Sequence, residues 1–163
     1  MNLKDIMRTL PLGVVVITTF WNSEPVGMLV NTFNSVSLEP PLVMFMADVR
    51  KGNERPFKES GTFVANFIDN VEIAKIFAYE NVKQRFSKVK YLYDPYGPIL
   101  EDSYGYIKAK IREIYRAGDH DIIVGEVSDI KMSKISSSLV YYNRSFWRID
   151  EVEKKMEKEM IKY

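Results

Sequence analysis

The hydrophobic pattern opens helical and then turns to strands. Leu3, Ile6, Met7 and Leu10 recur at the spacing of one helix face, with Asn2 placed to cap the helix and Pro11 to end it. Gly13 to Phe20 is dense in β-branched residues and predicts a strand. Trp21 to Pro25 has turn composition, and Val26 to Phe33 predicts the returning strand. After Pro40-Pro41, Leu42 to Ala47 is a continuous apolar run, the pattern of a buried strand. Arg50 to Glu59, charged and carrying Pro56, predicts a loop leading into a short helix. Thr62 to Ile68 alternates around Phe63, Ala65 and Phe67 as a strand does, and Ile73, Ile76 and Phe77 mark a short amphipathic helix.

The second half is more broken. Val82 to Leu100 is polar and aromatic, interrupted by Pro95, Gly97 and Pro98, and predicts an irregular connection. Tyr104 to Tyr115 and Ile122 to Met132 predict two long strands joined by a turn from Ala117 to Asp121. Val140 to Ile149 predicts a hairpin around Asn143-Arg144, and Asp150 to Tyr163 a mixed-charge helix or tail. Six or seven strands, few helices and no regular β-α-β alternation favour an antiparallel barrel over a parallel doubly wound sheet.

Composition narrows the function classes. At 163 residues the chain fits one domain, with 46% hydrophobic and 13% aromatic residues to fill its core. A net charge of +1 gives no pull toward nucleic acid or a membrane surface. No apolar run approaches the roughly 20 residues that span a bilayer, and the charged N-terminus lacks a signal-peptide core. The expectation is a cytoplasmic protein, and the absence of cysteine is compatible with that. With no cysteine and one histidine, thiol chemistry and the familiar zinc sites are excluded. The eight glycines form no G-x-G-x-x-G, and neither a G-K-[ST] loop nor G-x-S-x-G occurs. An enzyme of this composition would leave the difficult chemistry to an organic cofactor.

Five segments are candidates for binding one. Gly27 to Val43 holds Asn31, Thr32, Asn34, Ser35 and Ser37, side-chain donors suited to a phosphorylated ligand or to satisfying their own turn. Asp48-Val49-Arg50-Lys51-Gly52-Asn53 sets two cations beside a glycine, a phosphate-complementing pattern or a solvated loop. His120 lies between Asp119 and Asp121, where it could touch a cofactor amide or phosphate or serve only its turn. Arg85-Phe86 and Val140 to Arg144 pair aromatic and guanidinium groups that stack on flat rings, and equally often on other side chains.

In their order these segments resemble the FMN-binding flavin reductase family, in particular the small reductase components of two-component aromatic monooxygenases of the 4-hydroxyphenylacetate type. Pro11 to Thr19, Gly27-Met28 through Val43, Phe63 to Phe67, and Gly118-Asp119-His120 with Ile123 to Val127 carry the match, over about residues 8–150. The resemblance implies a six-stranded antiparallel split barrel in residues 1–150, followed by a tail, and a homodimer. It implies that Met28, Leu29, Val30, Asn31 and Thr32 line FMN, with Ser37 in the same segment, and that the loop Ala47, Asp48, Lys51, Gly52 and Asn53 closes over ring and phosphate. His120 would stand near the nicotinamide of NADH or NADPH, Arg85 and Phe86 near the flavin from either subunit, and Tyr141 and Arg144 beside them. The implied activity is hydride transfer from NAD(P)H to FMN or FAD, with reduced flavin passing to a partner oxygenase. A non-catalytic, flavoredoxin-like FMN carrier and a plain interaction module are the alternatives.

Overall fold

The computed structural model describes residues 1–133 and 137–152. A short helix α1 (Leu3–Met7) leads into β1 (Leu12–Gly13), β2 (Val15–Trp21), β3 (Glu24–Val30), β4 (Asn34–Leu38) and β5 (Pro41–Asp48). Helix α2 (Arg55–Ser60), strand β6 (Thr62–Phe67), helix α3 (Val71–Tyr79) and a 3₁₀ turn (Val82–Ser87) follow. Two small strands, β7 (Tyr91–Leu92) and β8 (Ile99–Leu100), precede the long pair β9 (Gly105–Ala117) and β10 (His120–Met132). A last hairpin is formed by β11 (Leu139–Tyr142) and β12 (Ser145–Arg148). The helix or tail expected after Asp150 falls almost wholly on residues 153–163, outside the described residues. Among the described residues no helix is long and apolar enough to cross a membrane.

Seven strands make one antiparallel sheet in the order β3-β2-β6-β9-β10-β5-β4, one more than the expected six. The extra strand is β4, a polar segment whose composition suggests a turn but which pairs along the edge of β5. Its neighbours in sequence and in the sheet differ: β3 and β4 are consecutive in the chain yet occupy opposite edges. The link Asn31–Phe33 can reach at most about 14 Å between Val30 and Asn34, so the sheet must curl until its edges nearly meet. The result is a barrel split between β3 and β4.

The barrel interior holds Phe45, Phe57 and Phe63, with Phe45 in edge-on contact with both others at centroid distances of 5.1 and 5.0 Å. Gly125 permits this packing, since a Cβ there would lie 2.6 Å from the Phe63 ring. A second cluster of Val14, Val16, Ile68, Ala74, Phe77, Leu100 and Leu139 packs α3 against the outer side of β2. Strand β2 is therefore buried on both faces, which explains why its β-branched residues, Thr18 and Thr19 included, show no alternation with exposed polar ones. Strand β5 behaves differently: Val43, Phe45 and Ala47 point inward while Leu42, Met44 and Met46 are half-buried on the other face. Its run is continuous because two distinct surfaces are apolar.

A polar tie holds the irregular segment after the 3₁₀ turn. The buried Asn66 amide donates to the Val16 carbonyl (3.2 Å) and Thr18 Oγ1 (3.1 Å) and accepts from the Leu100 N–H (2.9 Å), while Thr18 Oγ1 donates to the Pro98 carbonyl at 2.6 Å. Gly97, at φ 148°, passes so close to β2 that a Cβ would sit 2.7 Å from the Thr18 carbonyl oxygen.

Candidate functional site

The split in the barrel carries a cavity of about 270 Å³. Three elements converge on it for reasons set by the register. The last residues of β3, Met28 to Val30, run into Asn31 and Thr32, and the Met46 N–H donates to Thr32 Oγ1 at 2.9 Å, tying the link to β5. Antiparallel pairing of β5 with β10 sets His120 opposite Asp48 and Asp121 opposite Ala47. Tyr141 of β11 and Tyr79 at the end of α3 close the remaining side.

Ten of the residues expected from the sequence line this cavity: Met28, Leu29, Val30, Asn31, Thr32, Ala47, Asp48, Asn53, His120 and Tyr141. Lys51, Gly52 and Arg85 line an adjoining cavity of about 210 Å³ that shares Met28 and Asn53 with the first. Ser37, Phe86 and Arg144 lie outside both. Ser37 sits half-buried on the edge strand β4, and Arg144 is in the exposed turn of the last hairpin, at φ 65°. Phe86 packs edge-on against Phe77 and Tyr91, each at 5.3 Å. Sequence reasoning missed Val14, Met46, Ala78, Tyr79 and Phe146, which complete the lining. Met46 was legible in principle, because strand alternation puts it on the same face as Asp48. The others arrive through tertiary packing and leave no local pattern.

His120 begins β10 rather than lying in the turn, and its orientation is held by a chain of charges. Arg50 grips Asp48 with two bonds (Nε to Oδ1 3.1 Å, Nη2 to Oδ2 2.8 Å) and reaches Asp119 Oδ2 with Nη1 at 3.2 Å. The Arg50 hydrogen bonds hold the Asp48 carboxyl well below the usual carboxylate range. Asp119 is lowered by its bond to His120 and then by Arg50. Asp119 is thus a carboxylate, so His120 Nδ1 must be the donor in their 2.7 Å hydrogen bond. Nε2, without a partner among the described residues, is left as the ring nitrogen to meet a ligand. Arg50, one of the two cations of the loop, is committed to these carboxylates; Lys51 and Arg85 have no carboxylate partner among the described residues.

Behind His120 lies a second charge cluster. Asp121, 1% exposed, accepts from Arg116 Nε at 2.8 Å and pairs with Lys58 Nζ at 3.0 Å. Burial opposes its ionisation, but the bonds from Arg116 and Lys58 prevail and hold the carboxyl below its ordinary range. This pair joins α2 to the start of β10 and so braces the loop that runs from Asp48 through Asn53 to α2.

The donor set suits a flat, amphipathic ring system. Val14, Leu29, Met46 and Phe146 give apolar contact, while Asn31, Thr32, Asn53 and His120 offer polar atoms at the rim. Arg85 is half-buried, with its guanidinium donating to the carbonyls of Gly27 (Nη1, 2.7 Å) and Glu80 (Nε, 3.1 Å). A desolvated cation without a counter-charge at the mouth of the adjoining cavity fits an anionic group.

Comparison with known proteins agrees with this geometry. Residues 7–150 match the family described as flavin reductase like domain. The chain is 30% identical over 147 residues to a flavin reductase of Pseudomonas putida, covering 88% of this chain and 86% of that protein. It is 27% identical over 140 residues to HsaB, the reductase subunit of a flavin-dependent monooxygenase in Rhodococcus jostii (85% and 72% covered). Among solved structures, flavin reductase HpaC complexed with NADP⁺ superposes with a TM-score of 0.88 at 53% identity, covering 90% of this chain and 96% of that one.

Proposed function

We propose a function from one premise: the chain belongs to the flavin reductase like domain family. It is an NAD(P)H-dependent flavin reductase that moves a hydride from reduced nicotinamide to FMN or FAD. The flavin supplies the hydride acceptor, so the chain's own residues have binding and orientation to perform. In this reading Met28 to Thr32 and Ala47 to Asn53 enclose the ring from two sides, and Tyr141 borders it. Lys51 and Arg85 face the phosphate, and His120, steadied by Asp119, presents Nε2 toward the nicotinamide side. Residues 1–150 form the working unit, with the residues after it an appended tail. The observation that carries the reading is the convergence of the β3 end, the loop after β5 and His120 on one cavity at the barrel's split.

Reduced flavin is taken to pass to an oxygenase, as the likeness to monooxygenase reductase subunits supports, and the reaction is placed in the cytoplasm. A second copy of this chain is taken to cover the apolar surface that one copy leaves open. Leu3, Ile6 and Leu10 along and beyond α1 are 75, 58 and 48% exposed, and Val36 and Leu38 lie bare on the edge strand β4. The reading is tested by following NADH and NADPH oxidation with FMN or FAD added; sustained turnover with either donor supports it, and none with any pair refutes it.

A further inference from the structure

We propose that the buried ion pair between Asp121 and Lys58 is a positioning device that lets this chain select phosphorylated flavins over riboflavin. The inference rests on the flavin reading and adds to it a specificity set from outside the cavity lining. Neither residue lines either of the cavities assigned to flavin. What they hold is the loop between β5 and α2, from which Lys51 and Gly52 line the phosphate-side cavity and Asn53 lines both. Riboflavin carries the same ring without the phosphate, so only a phosphorylated flavin needs these loop residues in place.

The loop is fastened unequally at its two ends. At the start, Arg50 grips Asp48, and the Val49 N–H donates to the Asp119 carbonyl at 3.0 Å. At the end it runs directly into α2, six residues whose N-cap, Glu54, makes no side-chain capping bond. Within it, the Gly52 N–H donates to the Val49 carbonyl and the Asn53 N–H to the Asp48 carbonyl, each at 3.2 Å, the long end of the ordinary range. The place of Lys51 to Asn53 therefore depends on how α2 is set. Phe57 plugs this helix into the barrel interior against Phe45, and apolar contact of that kind fixes depth without fixing rotation. Glu59 and Ser60 tie its last turn to Trp21 and Thr19 of β2. Lys58 supplies the tie to β10, the strand that begins with His120. Arg116 on β9 lies opposite Asp121 and takes its Oδ1, which leaves Oδ2 for Lys58. A buried ion pair adds little net stability over an apolar contact, but it is directional, and direction is what a loop anchor requires.

Flavin fluorescence titrations on the full chain test this. Dissociation constants for FMN and riboflavin are measured in wild type, Lys58→Met and the charge-neutral double variant Asp121→Asn/Lys58→Met. The double variant removes both charges together, so Asp121 is not left as a buried carboxylate short of a partner. Wild type is expected to bind FMN more tightly than riboflavin. In both variants the FMN constant should rise about tenfold, the size of one phosphate hydrogen bond, while riboflavin stays within about twofold of wild type. Equal rises for both flavins, or no change in either, make the pair a plain stabilising contact and overturn the proposal. A rise for FMN in Lys58→Met that the double variant does not share marks direct attraction of the phosphate by the lysine charge and overturns it too. A wild type that binds both flavins equally overturns the selection, and one that binds neither contradicts the flavin reading itself.

Discussion

His120 shows how a single side chain acquires a defined role from its neighbours. Asp119 accepts the hydrogen bond from its Nδ1–H, Arg50 holds Asp119, and Asp48 holds Arg50, so the ring's orientation is fixed and Nε2 is the nitrogen left for a ligand. Replacement of His120 by alanine is expected to lower kcat/KM for the nicotinamide donor by about tenfold, the loss of one ligand hydrogen bond, with a smaller change in FMN affinity. Steady-state kinetics on purified variant checks this; unchanged kinetics would remove His120 from the donor site. Asp121 yields a pH prediction. Its folded-state carboxyl titrates below its unfolded value, so its stabilisation is present above a pH of about 4 and lost as pH falls through the lowered value. Melting temperatures of wild type and Asp121→Asn should therefore differ most near neutrality and converge in acid. A gap that stays constant from pH 7 to 3 would contradict the ion-pair account.

Strand β2 and the segment that crosses it illustrate what a local pattern can and cannot reveal. Its run of β-branched residues was legible as a strand, and burial on two faces explains why no exposed polar residue alternates through it. The strand character of Asn34–Leu38 was not legible, because its small polar side chains serve turns equally well and only pairing with β5 decides the matter. The same limit applies to Val82 to Leu100, which reads as irregular and yet is anchored through Asn66. Truncation of Asn66 to alanine leaves the Leu100 N–H and the Thr18 hydroxyl short of a partner in a dry interior. A loss of about 2 kcal/mol or more is expected in urea unfolding, against a few tenths if the tie were incidental.

The whole molecule is a sheet curled until its two edges are joined by three residues, and the site is what that closure creates. Short segments in the sequence pointed to most of the cavity because strand ends and turns carry the polar groups. Tyr79 and Phe146 were invisible because they reach the site from α3 and the last hairpin by packing alone. Arg144 and Ser37 lie away from the cavity of their own chain, and exposed apolar side chains remain on α1 and on β4. Light scattering is expected to give twice the chain mass, with charge introduced at Leu3 and Ile6 shifting it toward one; a wild-type monomer would contradict the paired assembly.

The central claim is that this fold performs flavin reduction rather than mere flavin storage. The direct measurement is the visible spectrum of protein with FMN under anaerobic conditions, followed after addition of NADH and, separately, NADPH. The account predicts that at least one donor bleaches the flavin band, and that bleaching recurs over many equivalents of added flavin. Protein that binds FMN but leaves its spectrum unchanged with both donors would contradict it and mark the chain as a carrier.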